Sequence, residues 1–135
     1  MVQNNVAQIF LAKAQEALAG VESEYSNARY NNCANLLEAG YYACFQAAIS
    51  ALIQAGVQPR GTQWGHEFVQ AEFAGQLINR RRLYPSNLRD VLSRLLLLRQ
   101  QADYESAHVT QTRALRAVRR ARALVEAVQR GAEIR

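Results

Sequence analysis

The sequence predicts an all-α protein, an up-and-down four-helix bundle with one additional short helix, and three observations carry that expectation. Apolar residues recur at three- and four-residue spacing through four long segments and one shorter one, which is the period of a single helix face. No segment shows the strict apolar and polar alternation of a half-buried strand. Both prolines, Pro59 and Pro85, fall between the periodic segments or at the first turn of one, where they punctuate helices without breaking them. The chain has 135 residues, half of them apolar, and that length suits a single helical domain over residues 1–135.

The first helix is expected from about Asn5 to Tyr25, on a stripe of Val6, Phe10, Ala14, Ala17 and Val21, with Lys13 and Glu16 off it. Ser26 and Asn27 signal a turn. A second helix then runs from about Asn31 to Ala55, with Gly56 in the C′ position that favours a left-handed backbone. Its seam is Ala34, Leu37, Tyr41, Phe45, Ala48, Leu52 and Ala55, widened by Tyr42, Ile49 and Ile53. So broad an apolar surface predicts a central helix that touches several elements or a second subunit. After a loop around Pro59, Thr62 is the expected cap of a third helix bearing Trp64, Phe68, Ala71, Gly75 and Ile78. Arg80, Arg81 and Arg82 end it. Leu88, Val91, Leu92, Leu95, Leu96 and Arg99 form the fourth helix, and the last runs from about Thr110 to Arg130 on Ala114, Val118, Ala121, Val125 and Val128.

Charge is polarised along the chain. Residues 1–79 hold three basic and six acidic side chains, a balance of −3, whereas residues 80–135 hold thirteen arginines against five acids, a balance of +8. The arginines at positions 113, 116, 119, 120 and 130 point away from the seam of the last helix. Such a face is either a solvated surface or an attractor for RNA, nucleotide phosphates or an acidic partner. It lacks interleaved aromatics on which bases stack. Arg80, Arg81 and Arg82 likewise read either as a phosphate contact or as a helix terminus placed well for the dipole.

Cys33 and Cys44 lie on one helix about 16 Å apart along its axis, too far for a disulfide, and are expected to be reduced core residues. No Cys-x-x-Cys pair, His-Glu-x-x-His or carboxylate-x-x-His repeat is present, so neither a metal nor a cofactor is expected. The purely apolar run from Leu95 to Leu98 is far short of the roughly 18 residues that span a bilayer. The first residues carry no basic region of a signal peptide. A cytoplasmic protein without a membrane partner is the expectation.

Arg99, Asp103 and Tyr104 close the leucine-rich fourth helix, and Tyr41 and Tyr42 sit on the central one. Arg99 and Asp103, at i and i+4, suit a helical ion pair worth a few tenths of a kcal/mol, with Tyr104 packing by its ring. Alternatively Arg99 extends the stripe of Leu88, Leu92 and Leu95 into the bundle, where its guanidinium needs an acceptor. Glu38, between Tyr41 and Phe45 on the wheel, supplies one, and an Arg99, Glu38 and Tyr42 network follows, within one chain or across a dimer interface.

The stretch Ala39 to Ala48 with its Tyr41-Tyr42-Ala43 and Phe45, the Gly-containing loop, and Leu98-Arg99-Gln100-Gln101-Ala102-Asp103-Tyr104 before an Ala- and Val-rich final helix resemble the small stand-alone prokaryotic branch of the HEPN family, from about residue 5 to residue 130. The resemblance implies a helical bundle, usually a homodimer, often partnered with a minimal nucleotidyltransferase or acting in toxin–antitoxin systems. Catalytic members are metal-independent endoribonucleases that use an Arg followed four to six residues later by a His. Here Asp103 stands at that spacing, and the next histidine, His108, is nine positions from Arg99.

A carboxylate does not reproduce the proton transfer of an imidazole, so a binding or accessory module for nucleotide or RNA is the expected function. A ribonuclease centred on Arg99, with Asp103 and Tyr104, is the first alternative, and an interaction module without nucleotide chemistry is the second. Arg60 and His66 meet the Arg-to-His spacing, but across a loop. There His66 is expected to hydrogen-bond near the start of the third helix, and the loop position where relatives often carry His aligns with Gln63.

Overall fold

A computed structural model describes the backbone of residues 2–26, 33–104 and 109–134, with side chains over 5–21, 35–102 and 109–133. Five helices follow in order: α1 (Val2–Ser26), α2 (Cys33–Gln54), α3 (His66–Glu72), α4 (Val91–Tyr104) and α5 (Gln111–Ile134). No strand occurs among the described residues.

The central helix is the expected one. Its buried residues extend over nearly all of its circumference, with Leu36, Leu37, Tyr41, Ala43, Cys44, Ala47, Ala48, Ile49, Ala51 and Leu52 shielded from water, and it packs on α1, α3, α4 and α5. Most of its apolar surface is therefore consumed within the chain, apart from Tyr42, which is 45% exposed. Asn35–Gln54 is long and apolar enough to cross a bilayer by composition, at a mean hydropathy of 1.3, yet 72% of that stretch is buried in the bundle. A helix whose apolar surface is already covered by protein is a core helix.

Local chemistry fixes the helix ends. Gly56, at φ +84°, turns α2 off: its N–H reaches the Ile53 carbonyl at 3.0 Å and the Val57 N–H reaches that of Leu52 at 2.9 Å, the paired bonds of a Schellman motif. Thr110 caps α5, its hydroxyl accepting the Arg113 N–H at 3.2 Å. Gly65, not Thr62, precedes the first residue of α3, in extended conformation and with no side-chain cap. α3 is short because from Phe73 to Arg80 the chain continues directly as a π-helical stretch. Pro85 precedes a 3₁₀ turn, Ser86–Leu88, so α4 begins later than the leucine pattern indicates.

Three sequence-based seams need adjustment or comment. In the third helical segment the expected Ile78 is buried, but the expected Ala71 and Gly75 are exposed, and Val69, Phe73 and Leu77 are buried instead. On α1 the buried residues are Ala7, Leu11, Ala14, Leu18 and Val21, while Val6 is 37% exposed; the true stripe lies one residue further round the wheel than the expected one. On α5 the expected Ala114, Val118, Ala121, Val125 and Val128 are all buried, and the five arginines expected outside are exposed. Polar ties cross the core where helices meet. The Ser50 hydroxyl donates to the Ala7 carbonyl at 2.7 Å, joining α2 to α1, and the Cys44 thiol lies 3.6 Å from the Ala121 carbonyl on α5. Cys44 is a free, buried thiol, and burial alone drives its pKa far up, so it is an inert core residue. The side chain of Cys33 lies outside the described residues.

Candidate functional site

Tyr41 and Phe45, four residues apart on α2, share one face of that helix, and His66 and Gln70, also four apart, share one face of α3. The two faces meet. The Tyr41 hydroxyl lies 2.6 Å from His66 Nδ1, and Gln70 Nε2 donates to the same hydroxyl at 3.3 Å. The rings stack as well: centroids are 5.9 Å apart for Tyr41 and Phe45, 5.5 Å for Tyr41 and His66, and 4.6 Å for Phe45 and His66. From α4, the Arg99 guanidinium carbon sits 5.0 Å from the Tyr41 ring centroid, a cation–π contact.

The direction of the bond follows the imidazole tautomer. Gln70 fills one lone pair of the Tyr41 oxygen, and the phenolic proton goes to His66 Nδ1 in the tautomer that leaves that nitrogen bare. That tautomer carries its hydrogen on Nε2, on a residue that is exposed to solvent. Tyr41 itself is 1% exposed. Burial raises its pKa, against which the Gln70 hydrogen bond and the Arg99 charge pull downward. The phenol is thus a neutral, buried strut. The cation of Arg99, half-buried, and the exposed imidazole are the groups with hydrogens to offer an anion.

The sequence-based site is rearranged accordingly. Arg99 and Tyr41 come together as two of the expected residues, but within one chain Glu38 and Tyr42 do not join them. One residue is a 100° turn of the helix, so Tyr42 leaves the Tyr41 face. With Glu38, four residues earlier, it lines a groove against Ala17, Gly20 and Val21 of α1. Glu38 is exposed and Tyr42 is 45% exposed. The side chains of Asp103 and Tyr104, and all of His108, lie outside the described residues.

His66 does hydrogen-bond at the start of α3, as expected, yet across to Tyr41. Arg60 does not join it, since its guanidinium lies over the Phe68 ring at 5.9 Å. Gln63 is exposed. Phe45 was read as part of the α2 seam and of the Tyr41-Tyr42-Ala43 motif but not as a site residue, and Gln70 was not singled out; the i, i+4 repeat of His66 and Gln70 was the signal available.

The three arginines after α3 part company with a shared phosphate site. Arg81 donates through Nη1 to the Ala55 carbonyl at 2.8 Å, satisfying an end carbonyl of α2, where a cation is favoured. Arg82 takes a left-handed backbone, φ +53°, and both it and Arg80 are exposed. Among the described residues no group of three or more His, Cys, Asp or Glu side chains is placed to hold a metal ion.

A family model described as the HEPN domain matches residues 7–131, which takes in every element of the site. No curated protein and no solved structure matches the chain.

Proposed function

We propose that this chain, which belongs to the HEPN domain family, works as a binding or accessory module that takes an RNA or nucleotide phosphate at the Arg99, Tyr41 and His66 cluster. In this reading it acts in the cytoplasm as a homodimer beside a minimal nucleotidyltransferase or another toxin–antitoxin component. The observation that carries it is Arg99 held on the Tyr41 ring, with its fixed fork of donors beside an imidazole that bonds the same tyrosine. A guanidinium stacked on an aromatic face keeps its edge for a phosphate. Exposed Ile9, Tyr42 and Leu97 supply the apolar surface for the second copy. The test is fluorescence anisotropy with a labelled polyuridine oligomer and with a labelled nucleotide. Arg99→Ala should weaken binding by about tenfold, and unchanged binding overturns the site. Light scattering should report twice the 15.1 kDa chain mass.

A second reading, metal-independent ribonuclease, is favoured by one specific observation. In this reading the imidazole missing after Arg99 in sequence comes from α3, as His66, which bonds the Tyr41 hydroxyl. Cleavage lost in both Arg99→Ala and His66→Gln would select it.

A further inference from the structure

A groove of about 200 Å³ separates α4 from α5, and it shares no lining residue with the Tyr41 cluster. Leu95 and Leu98 line it from α4. Four arginines surround them: Arg94 from α4 and Arg113, Arg116 and Arg120 from α5. All four arginines are exposed, and among the described residues no acidic side chain lines the groove. Asp90, one turn before Arg94, contacts it at 2.7 Å. Both side chains are about half exposed or more, so that pair offsets little of the local positive charge.

We propose that this groove is a docking site for an acidic amphipathic helix of a partner protein. Three properties select that occupant. The volume is below the roughly 300 to 1,000 Å³ of small-molecule sites and suits a few aliphatic side chains. The α4 and α5 linings, residues 91–98 and 113–120, each extend about two helical turns, roughly 10 Å. That is the span of anchors at i, i+3 or i+4, and i+7 on one docked helix. Arg94, Arg116 and Arg120 then face glutamates or aspartates flanking those anchors, and the +8 balance of residues 80–135 steers such a partner in. RNA uses the arginines but leaves the half-buried Leu98 uncovered, and among the described residues no aromatic side chain lines the groove for bases to stack on. The site does not depend on Arg99 or on the function proposed above.

The probe is a synthetic, fluorescein-labelled peptide of about 18 residues, long enough to hold a helix, with leucines at i, i+4 and i+7 and glutamates between them. Anisotropy with the full chain should show saturable binding that is weakened about tenfold when the leucines are replaced by glutamines. Arg116→Glu with Arg120→Glu should weaken the leucine peptide by about tenfold or more, whereas Arg119→Glu, which lies outside the groove, should not. Far-ultraviolet circular dichroism melts establish that each variant is folded. If the double variant is not, the single Arg116→Gln and Arg120→Gln variants serve, with the same direction of change expected.

Equal binding of the leucine and glutamine peptides overturns the proposal, as does peptide binding indifferent to the charge reversal. A polyuridine oligomer that loses affinity on charge reversal while the leucine peptide does not makes the groove an RNA surface and overturns it also. A change in oligomeric mass of the double variant by light scattering makes the groove an interface between copies, which likewise overturns the docking of a partner helix there.

Discussion

Tyr41 and His66 share a 2.6 Å hydrogen bond that joins a buried phenol on the central helix to the first residue of α3. Gly65 gives α3 no side-chain cap, so this bond and the Gln70 contact hold the start of that helix against the bundle. Tyr41→Phe keeps the ring that stacks with Phe45 and carries Arg99. It removes only the hydroxyl and leaves His66 Nδ1 to exposed solvent. Its cost should be about 1 kcal/mol in chemical denaturation, far below the roughly 3 to 5 kcal/mol of a large aromatic truncation. A loss in the larger range would mean the hydroxyl supports more of the fold than this bond.

The raised pKa of Tyr41 has a sign that can be checked. Burial, the largest cause, disfavours the phenolate and outweighs the Gln70 bond and the Arg99 charge. The folded state therefore binds the proton more tightly than the unfolded chain, whose tyrosines titrate near 10. The resulting stability is fully present below about pH 10 and is lost as pH rises through the folded-state pKa. In the tyrosinate absorbance titration of the native protein, one late component should disappear in Tyr41→Phe. A late component that persists in that variant assigns the shift to another tyrosine.

Arg99 is half-buried and lies over a ring. That geometry sets the scale of Arg99→Ala at about 0.5 to 2 kcal/mol, the range of a cation–π contact, instead of the 3 to 5 kcal/mol of an orphaned buried ion-pair partner. Thermal melts of Arg99→Ala should show a modest drop with a cooperative transition retained. Collapse of the transition would instead place the guanidinium within the core network that sequence reasoning expected.

The helix order and the seams of α2, α4 and α5 were legible because burial follows the 3.6-residue period, and Gly56 marked its own turn. The site was legible only in part. Arg99 and Tyr41 stand out as polar residues on apolar stripes, yet the choice between Tyr41 and Tyr42 depends on a 100° rotation that the widened α2 stripe did not resolve. His66 was expected to bond near the start of α3, but its partner Tyr41 was not foreseen, because that pairing depends on where a loop delivers α3. Tertiary placement of that kind leaves no periodic trace in the sequence. The one-position error on α1 has a related cause: Val6 and Phe10 outrank Ala7 and Leu11 in bulk, while the fold buries the smaller pair's face more deeply.

Gly40 offers a test of packing between α2 and its neighbours. A methyl group built there meets Val118 Cγ2 at 3.5 Å, with Ala121 Cβ and Leu95 Cδ2 at 3.8 Å. These are ordinary contact distances, in a helix interior where glycine costs roughly 0.5 to 1 kcal/mol relative to alanine. Gly40→Ala should therefore stabilise the protein by about that amount, read as a higher denaturation midpoint at unchanged slope. A lowered midpoint would show that α2 and α5 are pressed together more closely than these distances allow.

Whether the Tyr41 cluster cleaves RNA depends on the direction of its hydrogen bonds. In the tautomer where Tyr41 donates to His66 Nδ1, the imidazole carries its proton on Nε2 and faces solvent as a donor. Attack by a ribose 2′-hydroxyl also needs a base that removes its proton. Within the described cluster the other groups are a guanidinium that stays protonated, a phenol raised above its usual range and a carboxamide. The set is suited to holding phosphate more than to exchanging protons at neutral pH. Purified protein should bind total RNA with an affinity that falls steeply as salt rises, and without appreciable cleavage in a chelator. Robust cleavage that vanishes in Arg99→Ala and in His66→Gln would reverse this and make His66 the acid or base of a ribonuclease. Cleavage lost with His108→Ala alone would move the chemistry to another element.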